Sequence, residues 1–190
     1  GDSEFGLRAF STYLGTLTVA ATYLLGRTVA GKKVGILAAL FLTLSRFHII
    51  WSQEMRFYAL ATLLAVLGAW LAMRVWDRGH LLDYVLYIAA ITAGLYTQYL
   101  FFPVPVAINI AWLWVFWRSQ RRWSELLRWA AAQLAILVIL ALWLQYALSG
   151  FLTNSSATPI SVLDFLKIYW TVLAVGIPLR VEQYAPYALP

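Results

Sequence analysis

Cysteine is absent from the chain, which excludes disulfides, thiolate metal sites and a cysteine nucleophile. Charge is scarce as well: Asp, Glu, Lys and Arg make up 12% of the residues, against 63% hydrophobic. Such a composition does not suit a soluble domain and does suit a polytopic membrane protein. Histidine is limited to His48 and His80, and the topology derived below sets these two on opposite sides of the membrane, so no metal site is expected. There is no visible signal peptide, and residue 1 is Gly rather than Met. The expectation is therefore a chain that begins inside a longer protein.

What the chain does have is apolar length, ten Trp and a net charge of +6. The basic residues fall in short clusters between apolar segments, where the positive-inside rule expects them, and this argues against a nucleic-acid partner. A span needs about 20 apolar residues, because ~1.5 Å of rise per residue must cross a hydrocarbon core of ~30 Å. Segments 7–25, 34–50, 57–75, 84–102, 104–117 and 126–148 qualify or nearly do. Residues 149–161 form a polar loop, and 162–177 is apolar but interrupted by Asp164 and Lys167. That last segment fits an amphipathic interfacial helix or a seventh span, followed by a tail to residue 190. The expected fold is all-α: a transmembrane helical bundle of six to seven spans, with residues 1–148 as its core.

Orientation follows from the basic residues in alternate loops. One set holds Arg27, Lys32, Lys33, Arg74, Arg78, Arg118, Arg121, Arg122 and Arg128; the other holds Arg46 and Arg56. The richer set is assigned to the cytoplasm. The loop 149–161 and the stretch Ser52-Gln53-Glu54-Met55-Arg56-Phe57-Tyr58 then face outside.

That stretch is a polar island between two lipid-compatible runs, and its charges must lie at the membrane surface or line a cavity. Ser52 reads as the N-cap of the third segment, with Glu54 in the first turn and Arg56 just inside. Free N–H groups, the positive dipole end and a guanidinium would then favour an anion such as a phosphate. Gln98 and Tyr99 lie at the outward end of the fourth segment, at a depth suited to lining the same cavity. Other readings compete. Arg46 and Arg56 would also serve by snorkelling to headgroups, Glu54 as an ion-pair partner for Arg56, and Trp51, Trp76, Trp117 and Trp123 as interface anchors.

The ordered runs Leu24-Leu25-Gly26-Arg27, Gly35-Ile36-Leu37-Ala38-Ala39-Leu40 and Ser45-Arg46-Phe47-His48-Ile49-Ile50-Trp51-Ser52-Gln53-Glu54-Met55-Arg56-Phe57-Tyr58-Ala59-Leu60 resemble the polyprenyl-phosphate-sugar-dependent glycosyltransferases of the protein-mannosyltransferase type, aminoarabinose lipid A transferases included. The resemblance implies a GT-C fold in the bacterial inner membrane. Its outward cavity would bind a polyprenyl-phosphate-linked sugar among membrane lipids, without a cofactor, and pass the sugar to an acceptor with inversion. By similarity Arg56 stands on the phosphate side, with Gln53, Glu54 and Tyr58 shaping the cavity. Arg46 stands where the family usually has Pro, and Gln98 where it often has His. The family's catalytic Asp lies in an outer loop preceding the match, so the general base is expected upstream of residue 1 and the chain alone is expected to be inactive. A second hypothesis is a non-catalytic membrane subunit, a truncated relative acting within a larger membrane-protein complex.

Overall fold

The computed structural model describes residues 4–54, 56–119, 123–154 and 161. All regular structure among them is helical: α1 (Glu4–Ala30), α2 (Lys32–Leu44), α3 (Arg46–Gln53), α4 (Tyr58–Arg78), α5 (Leu81–Thr97), a 3₁₀ turn (Tyr99–Phe101), α6 (Pro103–Arg118) and α7 (Trp123–Asn154).

α1 packs along α2, α3 and α4, and α4 packs in turn on α5, which meets α7. The first of these contacts is set by glycine. A Cβ on Gly35 would lie 2.7 Å from the Tyr23 carbonyl oxygen and 2.9 Å from the Arg27 nitrogen, so α1 and α2 approach backbone to backbone, as small residues permit in lipid. Hydroxyls that would otherwise be stranded are absorbed locally: Thr18 and Thr22 each donate to the carbonyl one turn back, at 2.8 Å. Small residues let α4 pack closely on its neighbours, since Ala61 and Ala72 are buried and Gly68 lies against Ile91.

The α5–α6–α7 side is held by aromatics and amides. Trp129 stacks on Trp112 at 5.3 Å and packs on Tyr87 at 5.0 Å. Its indole N–H donates to Asn109 Oδ1 at 2.9 Å, while Asn109 Nδ2 donates to Gln133 Oε1 at 3.1 Å and Gln133 Nε2 to the Tyr87 hydroxyl at 3.3 Å. Hydrogen bonds between helices hold a bundle where lipid supplies no hydrophobic contrast. The outer faces are apolar in keeping with that solvent; Phe41 is 71% and Trp117 81% exposed.

Several expected boundaries change. The second segment is not one helix but two, bent by 63° at Ser45. Ser45 ends α2 through its N–H to the Leu42 carbonyl and starts α3 by accepting the His48 N–H at 3.3 Å. α7 continues as helix to Asn154, into the stretch expected to be loop, and residues 162–190 lie outside the described residues. α4 and α7 are long and apolar enough to cross a membrane, and the bent α2–α3 pair makes a third if it is counted as one span. The six to seven spans expected are therefore not all matched by helix length and apolarity. α5 and α6 have 17 and 16 residues, and the 27-residue α1 is diluted by its threonines.

Candidate functional site

The polar island folds differently from its sequence expectation. Ser52 is not the cap of α4; it sits inside α3, where its hydroxyl donates to the Ile49 carbonyl at 2.9 Å. Gln53 ends α3, and Glu54 is its C-cap rather than a first-turn acid of the next helix. Arg56 precedes α4, whose N-cap position is Phe57 with no side-chain cap. The physical reason is that α3 already uses residues 46–53, so α4 starts only at Tyr58. One part of the expectation remains: among the described residues α4 has no side-chain cap hydrogen bond at its start.

α3 is docked by its underside. His48 Nε2 lies 3.2 Å from the Gly15 carbonyl oxygen, and Thr12 Oγ1 lies 3.4 Å from that of Ser52. With α3 fixed on α1, its other side presents Phe47 and Trp51 toward α4 and the α5–α6 connection. There a cavity of about 390 Å³ opens, lined by these two rings with Tyr58, Thr62, Gln98, Phe101 and Val104 among others. Trp51 meets Tyr58 edge-on at 4.4 Å. Gly94 lets the Phe101 ring seat against α5, since a Cβ there would run into that ring.

Of the residues named from sequence, Tyr58 and Gln98 line this cavity. Gln53, Glu54 and Arg56 are exposed and are not part of its wall. Tyr99 lies in the 3₁₀ turn that follows Gln98, and its side chain is outside the described residues. Sequence reasoning missed Trp51, which it took for an interface anchor. The indole Nε1 is buried and has no hydrogen-bond partner among the described residues, a donor left over beside the cavity that Trp51 helps to line. The one available signal was its place inside the quoted motif, immediately before the island. Trp76 is likewise no surface anchor, for it packs against the core and meets Trp129 at 6.0 Å, whereas Trp117 and Trp123 are exposed. Among the described residues, no three His, Asp or Glu side chains gather as metal ligands would.

Residues 1–146 match the family model described as dolichyl-phosphate-mannose-protein mannosyltransferase. The chain belongs to that family. No curated protein and no solved structure gives a significant match. Membership of this mannosyltransferase family makes the chain GT-C-type and associates it with membrane glycosyl transfer. The matched region takes in the island, the bend at Ser45 and every residue of the cavity wall named above.

Proposed function

We propose that the chain forms the donor-binding part of a membrane glycosyltransferase that takes a sugar from a polyprenyl-phosphate carrier at the outer face of the bacterial inner membrane. The observation that carries this reading is the cavity between α3, α4 and the α5–α6 connection. It joins an aromatic wall with a buried, unpartnered indole N–H and the amide of Gln98, next to the uncapped start of α4. A volume of about 390 Å³ is in the range of small-ligand sites, and a few placed polar groups in an apolar wall are what orient a bound group.

In glycosyl transfer from such a carrier, charge develops on the departing phosphate. Arg56, exposed just before α4, and the α4 N–H groups are the donors assigned to that charge. Trp51, Tyr58 and Gln98 are assigned to hold the sugar. The outward orientation draws on the bias of Lys and Arg toward the opposite loops, and a bundle of six to seven spans remains part of the proposal.

The test is sugar transfer by the full-length protein in nanodiscs, supplied with a polyprenyl-phosphate sugar. Arg56→Ala is expected to lower kcat/KM about 10²-fold, the scale for removing one transition-state charge donor. Transfer at the parent rate by that variant would overturn the assignment of the phosphate side.

A further inference from the structure

At the other end of α1 and α4 lies a second concavity, of about 350 Å³, which the proposed reaction does not use. Arg27 of α1 and Arg74 and Arg78 of α4 line it, with Thr28, Trp70 and Asp77. Sequence reasoning treated these arginines as topology markers, and cations near helix C-termini also complement the helix dipole. Neither role requires them to share a pocket or to be held in place.

Arg74 is held. Its guanidinium lies 2.6 Å from the carboxylate of Asp83, which is 1% exposed, and 4.8 Å from the centre of the Trp70 ring. Trp70 is in turn tied to α1, its Nε1 donating to Thr28 Oγ1 at 3.2 Å. Asp83 occupies one side of Arg74, yet the buried Nε–H still has no acceptor among the described residues. With Asp77 and Asp83 set against three guanidiniums, the pocket keeps a positive surplus, and the exposed Arg27 and Arg78 are free to turn toward a shared anion. Planar guanidiniums present paired donors that match the oxygens of a phosphate.

We propose that this concavity binds a phosphate group at the membrane surface opposite the polar island, either as the headgroup of an anionic phospholipid or as a free phosphate. Arg74 is the preset donor, and Arg27 and Arg78 close on the ligand from the two helices.

The full chain, purified in detergent, is titrated with short-chain phosphatidylglycerol, phosphatidylcholine and inorganic phosphate, with bound ligand counted by native mass spectrometry. Phosphatidylglycerol is expected to bind in preference to phosphatidylcholine, and Arg27→Gln and Arg78→Gln are each expected to weaken it about tenfold, as loss of a charge-assisted hydrogen bond does. Binding of phosphatidylglycerol alone assigns the pocket to lipid headgroups, whereas binding of inorganic phosphate as well assigns it to the free anion. Asp77→Asn, which removes a competing carboxylate, is expected to tighten binding severalfold, a gain that misfolding cannot imitate. The proposal is overturned by equal retention of the two lipids with no phosphate bound, by an equal loss in Arg118→Gln on α6, or by no tightening in Asp77→Asn.

Discussion

The two ends of the α1–α4 pair use arginine in opposite ways. At the island end Arg56 is exposed on a turn, outside the wall of a cavity made mostly of rings. At the other end Arg74 is pinned between a buried carboxylate and an indole, with two further arginines lining the same pocket. A free cation has to be ordered by its ligand, at a cost in side-chain entropy that falls on the bound state. A pinned one has met that cost in folding. The island end is therefore suited to a charge that appears and leaves during turnover, and the opposite end to a resident anion.

The largest expected effect that separates them is on stability. Arg74→Ala leaves the Asp83 carboxylate buried and unpaired, and breaking a buried ion pair from one side costs about 3–5 kcal/mol. The measurement is thermal or denaturant unfolding in detergent, with Arg56→Ala alongside. Arg56→Ala is expected to stay within about 0.5 kcal/mol of the parent, as exposed surface changes do, while losing about 10²-fold in transfer. Equal stability losses in the two variants would remove the distinction between pinned and free cations.

Trp51→Phe sharpens the island side. It keeps a ring against Tyr58 but deletes the N–H that has no partner among the described residues. A buried donor without an acceptor is a liability in the empty protein, so stability is expected to hold or rise slightly. If the indole donates to the sugar, KM for the donor rises severalfold, in line with one neutral hydrogen bond worth about 1 kcal/mol. A fall in stability with KM unchanged would reduce Trp51 to packing.

Much of this could be read from residues alone, and the misses share a cause. The all-helical fold followed from apolar segment lengths, and the family from the ordered run around Trp51 and Arg56. The break at Ser45 was hidden because an apolar run with one serine looks continuous, although Ser45 with its hydroxyl on the His48 N–H is an ordinary N-cap. The capping role given to Ser52 failed for the same reason: without the break, α3 had no place in the chain. Asn109 and Gln133 passed unnoticed because each is an isolated amide within an apolar run, and the side chains they pair with lie on other helices. The basic concavity was the hardest to foresee. Arg27 comes from α1, far in sequence from Arg74 and Arg78 of α4, and a count of charges per loop carries no information on whether they converge.

The smallest expected effect bears on that convergence. Thr28→Val keeps the shape of the side chain and removes the oxygen to which Trp70 Nε1 donates. Thr28 is exposed, so water or a headgroup can take over the indole N–H, and the stability loss is expected at about 0.5 kcal/mol, the low end for a hydrogen bond. Phosphate binding is expected to fall more than that, two- to threefold (about 0.4–0.7 kcal/mol, by the same affinity scale) or beyond, because the Trp70 ring orients Arg74 and nothing else ties that ring to α1 by a hydrogen bond among the described residues. Comparing the unfolding free energy of Thr28→Val with its phosphatidylglycerol affinity separates the two roles. Unchanged affinity with a stability loss above about 1 kcal/mol, the middle of the hydrogen-bond range, would make Trp70 a packing residue. The basic end would then be no more preorganised than the island.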